Sequence, residues 1–150
     1  LKEYKMTFNI EGIKLEFFYP NDSVRLAILE KYKKNYQIIN GIKILPIIAI
    51  AELKLVALFR RKKIRDLFDI FVLLNERIID IDLIDKYCAM EYDKTFIEYI
   101  ENFKDDKTES LDFEEDNKYY DLFCNLSFEE KENLLKQKII DLYITRLKNE

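Results

Sequence analysis

The sequence predicts an α+β fold that is mostly helical, with a β-hairpin and one short strand followed by a helical bundle. Three observations carry that expectation. Between Tyr4 and Tyr19, apolar and polar residues alternate on either side of Glu11-Gly12, the period of a strand pair about a tight turn. From Ile50 onward, apolar residues recur at helical spacing, and segments open on capping signals such as Asp80, Thr95 and Ser127. The 150 residues include two glycines and two prolines, too few for the many turns of a sandwich or barrel.

The hairpin pairs MTFNI with IKLEFFY. Ile13, Leu15, Phe17 and Tyr19 share a face expected to be core, while Lys14, Glu16 and Phe18 share the other. Pro20-Asn21-Asp22-Ser23 breaks the strand, and Asp22 or Ser23 is placed to cap a helix through about Tyr36. Asn40-Gly41 marks a second turn, followed by a short strand, Ile42–Leu45, which Pro46 ends. Ile50 to Leu74 reads as two helices joined by a basic corner at Arg61–Ile64, the first apolar nearly all round and therefore expected to be buried.

Asp80 or Asp82 opens the next helix, through Met90, and Thr95 opens another, through Phe103. Asp105–Asp116 holds seven acids and one lysine and reads as an exposed, solvated linker. Ser127 with Glu130 is a capping box for a last helix, whose stripe is Leu134, Leu135, Ile139, Ile140, Tyr143 and Leu147. Residues 1–49 form the strand-containing part and 50–150 the helical region, expected to make one compact unit.

Composition removes several chemistries. Without histidine, Ser-His and Cys-His nucleophile systems and His-ligated metal sites are excluded. Gly12 and Gly41 are the only glycines, so neither a P-loop nor a GxGxxG turn exists. Cys88 and Cys124 have no metal-type spacing and read as free thiols. The longest apolar run, Leu45–Ala51, is broken by Pro46, and no secretory leader pattern is present, so a soluble cytoplasmic chain is expected.

Charge placement is the informative feature. Lys54 falls among Ile50, Ala51, Ala57 and Leu58, with Arg61 two turns on. Asp66 shares a face with Ile70 and Leu73, with Asp69 a turn further. An ammonium among aliphatic groups is costly unless an anion meets it, so Lys54 is expected to lie near Asp66 or Asp69. Blander readings exist: Asp66 as a first-turn cap or a partner of Arg65 or Lys62, and Lys54 reaching water along its stem. Six cations (Lys54, Arg60, Arg61, Lys62, Lys63, Arg65) follow one another with no acid between them in a chain of net charge −4, a local positive field.

A lysine on a buried helix, an arginine two turns later and an Arg-Asp-x-x-Asp helix start together resemble the C-terminal motif of the AbiEii/AbiGii nucleotidyltransferase toxins, within the polymerase-β-like superfamily. Here the motif reads Lys54, Arg60, then Arg65-Asp66-Leu67-Phe68-Asp69. The resemblance covers roughly residues 5–80. It implies that the hairpin and short strand are a remnant of a nucleotidyltransferase sheet. It also implies a toxin of a toxin–antitoxin or abortive-infection system that, when intact, moves a nucleotide from an NTP to an acceptor such as tRNA, with an antitoxin protein as partner. On this resemblance Lys54, Asp66 and Asp69 are catalytic: Lys54 neutralises triphosphate oxygens, and Asp66 orients Lys54 or acts as base toward the acceptor hydroxyl. Arg60, Arg61 and Arg65 hold phosphate or RNA backbone, and Glu16 is a ligand of a Mg²⁺ site.

The family pattern also needs a Gly-Ser turn and an Asp-x-Asp pair ahead of the hairpin. No Gly-Ser dipeptide occurs, and Asp80-Ile81-Asp82 follows the Arg-Asp helix and reads as a helix start. The chain is therefore expected to be the C-terminal part of a longer protein, or a degenerate relative, inactive alone. Mg²⁺ is expected only together with the missing carboxylates. A function of another class is a non-catalytic helical interaction module that binds an acidic partner through the basic corner.

Overall fold

A computed structural model describes residues 5–18, 22–105 and 117–148. The chain divides into two compact units, Leu1–Ala49 and Ile50–Glu150. In the first, β1 (Lys5–Ile10) and β2 (Ile13–Phe18) pair antiparallel with Phe8 opposite Leu15 and Met6 opposite Phe17. Glu11 and Gly12 both take positive φ, 51° and 85°, the geometry of a two-residue turn whose twist matches that of the strands. The Asn9 Oδ1 accepts the Gly12 N–H at 3.0 Å. The apolar face expected to be core is exposed at Met6, Phe8, Ile10, Leu15 and Phe17. A two-stranded ribbon has no second layer of its own, so alternation alone does not bury a face.

Helix α1 (Ser23–Tyr32) starts on Asp22, whose carboxylate accepts the Arg25 N–H at 2.9 Å. It stops four residues before the expected Tyr36. The chain instead extends into β3 (Gln37–Ile39), which pairs with β4 (Ile42–Ile44) about Asn40-Gly41. Three residues are too few to show alternation, so β3 was not foreseen.

Helix α2 (Ile47–Arg61) contains the boundary between the units, and α3 (Ile64–Asn75), α4 (Ile81–Glu91), α5 (Phe96–Glu101), α6 (Tyr120–Phe123) and α7 (Phe128–Leu147) follow. As expected for its composition, α2 is buried at Ala51, Leu55, Val56, Ala57, Leu58 and Phe59. Asp80, Thr95 and Ser127 cap α4, α5 and α7 as read, the last two as capping boxes. Leu135, Ile139 and Tyr143 of α7 are buried, whereas Leu147 is exposed. α7 packs along α3 and also meets α4 and α5.

Both ends of α3 are closed from distant positions. Its N-cap Lys63 contributes no side-chain cap bond; the Ile64 N–H donates instead to the Asp105 carboxylate. Asp105 was expected in a solvated linker but is buried, and its own N–H donates to Glu132 of α7 at 3.0 Å. The rest of that acidic run, 106–116, lies outside the described residues. At the other end, Arg146 of α7 donates to the carbonyls of Leu74 and, at 2.8 Å, Ile79. A carboxylate at the N-terminus and a guanidinium at the C-terminus are the signs the helix dipole favours.

The chain leaves α3 through a Schellman turn, with Arg77 N–H to Leu74 O at 3.0 Å and Ile78 N–H to Leu73 O at 2.9 Å. Arg77 holds φ 56°, a conformation that glycine adopts without strain. Arg77→Gly is expected to raise stability by about 1 kcal/mol, a rise in Tm of about 2–4 °C for a chain this size, as read by thermal unfolding.

Both cysteines are free. The buried Cys88 thiol donates to the Lys94 carbonyl at 3.3 Å, and burial, with a smaller contribution from Asp85, pushes its pKa up to about 11. The folded state thus keeps this proton longer than the unfolded chain. Its contribution to stability is complete below the ordinary thiol value of 9.0 and is lost as pH rises through about 11. Iodoacetamide at pH 8.5 should leave Cys88 unmodified in the folded protein and alkylate it rapidly in urea, as mass spectrometry will report.

Candidate functional site

The corner between α2 and α3 turns on two residues: Lys62 at φ 52°, and Lys63, extended at φ −100° and ψ 140°. The turn sends α3 back so that positions late in one helix meet positions early in the other. Lys54 Nζ lies 2.6 Å from Asp69 Oδ2, and Arg61 Nη2 lies 2.5 Å from Asp66 Oδ1. The expected pairing of Lys54 is therefore present, with Asp69 as partner. The two pairs differ in setting. Lys54 and Asp69 are 38% and 33% exposed, so water reaches their ion pair. Asp66 is fully buried, with only its arginine reaching solvent, and its Oδ2 has no hydrogen-bond partner. A carboxylate oxygen out of water and unpaired is costly and is uncommon without a function.

Arg60 is held by Glu91 of α4 through a two-pronged bridge, Nε to Oε2 at 2.8 Å and Nη2 to Oε1 at 2.6 Å. Such a fork fixes the guanidinium plane. Lys63 lies 4.0 Å from the Asp105 carboxylate. Arg65 is exposed at the first turn of α3, and Lys62 is exposed with no partner among the described residues. The run of six cations is thus largely met by acids from elsewhere in the chain. The corner is a network of pairs with exposed guanidinium faces, rather than an open positive field.

Two buried tyrosines back the site. The Tyr99 hydroxyl donates to the Leu58 carbonyl at 2.6 Å; burial, then the nearby Asp66 charge, push its proton loss well above the ordinary phenol range. The Tyr87 hydroxyl donates to Glu52 at 2.6 Å. Glu52 is a buried acid on α2 that sequence reasoning passed over, although its place on a helix apolar nearly all round was a signal. Nothing in the sequence pointed to Glu91, because a partner 31 residues from Arg60 leaves no local pattern.

Glu16 lies on β2 opposite Thr7, but its side chain is outside the described residues. Among the described residues no three carboxylate or thiol groups come together in a way that would hold a metal ion. Asp66 and Asp69 each already engage a cation, so this pair does not form a Mg²⁺ cradle.

Among the described residues, no helix is long and apolar enough to cross a membrane. A family model described as Nucleotidyl transferase AbiEii toxin, Type IV TA system, matches residues 11–133. No curated protein and no solved structure matches the chain.

Because the Asp66 carboxylate is only half satisfied and its partner reaches water, removing the charge should cost little. Asp66→Asn is expected to change unfolding free energy by less than about 1 kcal/mol, against the 3–5 kcal/mol typical when a structural buried pair is broken. Urea unfolding measures it, and a loss of the larger size would make Asp66 a structural residue.

Proposed function

Because this chain belongs to the AbiEii nucleotidyl transferase toxin family of type IV toxin–antitoxin systems, we propose that its α2–α3 corner is the nucleotide-facing side of a nucleotidyl-transfer site, with an NTP as donor and an RNA such as tRNA as acceptor. The supporting observation is the pair of ion pairs across the corner, one open to water and one ending in an unpartnered carboxylate oxygen.

Lys54 presents a compact charge suited to triphosphate oxygens. Asp69 holds that ammonium in place, and phosphate oxygens compete with the Asp69 carboxylate for it. Asp66 has one oxygen fixed by Arg61 and the other without a partner, the arrangement of a base oriented by its neighbour and waiting for a hydroxyl proton. Arg60, locked by Glu91, and Arg61 and Arg65, both exposed, supply fork geometry for phosphate or RNA backbone. In this family a divalent ion such as Mg²⁺ would supply charge neutralisation at the transferred phosphate. Glu16 is the residue of this chain assigned to it by resemblance. An antitoxin protein completes the system.

The test is nucleoside triphosphate binding by calorimetry. Lys54→Met is expected to weaken it at least about tenfold, the loss of one charge-assisted contact worth about 1.5–3 kcal/mol. Asp66→Asn should leave binding within about threefold, because its role follows binding. If the Lys54→Met protein binds triphosphate as the parent does, the corner is a structural junction.

A further inference from the structure

At the end of α3 away from the corner, α3 and α7 enclose a cleft of about 590 Å³ lined by Asn75, Arg77, Asp80, Thr145 and Arg146. Through Asn75, Leu142 and Thr145 it continues into a second cleft of about 360 Å³, walled by Phe71, Tyr119 and Leu122. The first part carries two guanidinium groups and one carboxylate. That carboxylate, Asp80, is already engaged by the Leu83 N–H at 2.8 Å as the cap of α4. Arg146 is anchored by two carbonyls, so its charge is fixed at the wall.

Arg77 is the exception. Its side chain is exposed and has no partner among the described residues, although Glu76 is next to it in sequence. The Oε1 of Glu76 is taken by other donors: Lys118 at 2.5 Å, the Tyr119 hydroxyl at 2.6 Å and the Asn75 amide at 3.2 Å. The guanidinium is also retained at a backbone position where glycine would be unstrained. An arginine with no partner among the described residues, held at a conformational cost beside the anchored Arg146, has the chemistry of an anion site. The adjoining cleft sets Phe71, Tyr119 and Leu122, an apolar and aromatic surface suited to a flat group, beside Lys138 and Asp141.

We propose that this cleft binds a nucleotide unit, with its phosphate against Arg77 and Arg146 and its base toward Phe71, Tyr119 and Leu122. Arg77 lies eleven positions after Asp66, roughly 16 Å at helical rise, so the site is distinct from the transfer corner. Free nucleotide and a single RNA strand share this chemistry, and the experiment separates them.

The test is an amide NMR titration of the intact chain with AMP and, separately, with a short single-stranded RNA; inorganic phosphate serves as a third probe. The Asn75, Arg77 and Thr145 signals should shift in a saturable manner, with phosphate alone acting on the same amides more weakly. Saturation by AMP identifies free nucleotide as sufficient; saturation by RNA but not AMP identifies the strand. Arg77→Gly removes the guanidinium while relaxing the backbone, so the fold is kept and binding should fall at least tenfold. Lys54→Met should leave this binding within twofold, which separates the cleft from the transfer corner. Unmoved Asn75, Arg77 and Thr145 signals at millimolar AMP and RNA would overturn the proposal, as would an Arg77→Gly protein that binds like the parent.

Discussion

The helical unit depends on how α3 is terminated. A helix leaves four N–H groups and four carbonyls without partners, and burying its ends requires those groups to be met. Here α7 sets the conditions at both ends. Through Glu132 it fixes the backbone of Asp105, whose carboxylate accepts the Ile64 N–H, and through Arg146 it donates to the carbonyls of Leu74 and Ile79. With its ends held, α3 cannot slide along α7. Asp66 and Asp69 are then delivered to Arg61 and Lys54 at ion-pair distance. The geometry of the corner is therefore set up by contacts more than a helix length away in sequence.

This arrangement also explains why the corner does not behave as a bare cluster of cations. Among the described residues, at least four of its six positive groups have carboxylates within 4.0 Å, drawn from α3, α4 and the segment after α5. Paired charges on a partly exposed surface contribute little stability, but they hold side chains in defined orientations before a ligand arrives. A phosphate bound at the corner, as proposed, would exchange one anionic partner for another without having to order a free side chain.

Local features of the fold were legible in the sequence because their physics is local. The Glu11-Gly12 and Asn40-Gly41 turns, the Asp22 and Asp80 caps and the capping boxes at Thr95 and Ser127 each involve groups within four residues. The Lys54 pairing was legible for a different reason: two unmatched charges on apolar faces of consecutive helices leave few solutions. Burial of Asp105, the Arg60–Glu91 bridge and the closure of α3 by Arg146 were not legible, since each joins residues 31 or more positions apart. The hairpin marks the limit from the other side. Alternation named its apolar face correctly, but coverage of that face is a property of other elements, and Phe8 and Phe17 remain exposed, edge to face at 5.8 Å.

Within the helical unit, positions that break a local rule gather at the two ends of α3. At its start, Lys62 takes a left-handed conformation and Asp66 keeps an unpartnered oxygen in the interior. At its end, Arg77 takes the place a glycine would fill without strain. Between them the helix is regular, with Leu67, Ile70, Phe71 and Leu74 buried as its period requires. Strain and unsatisfied polarity persist only where surrounding structure over-determines them, and they concentrate where a protein handles ligands. The same clamps that hold α3 in register supply that over-determination. The packing of α7 along α3 keeps the unpartnered oxygen of Asp66 and the exposed Arg77 at a fixed separation, at opposite ends of one regular helix.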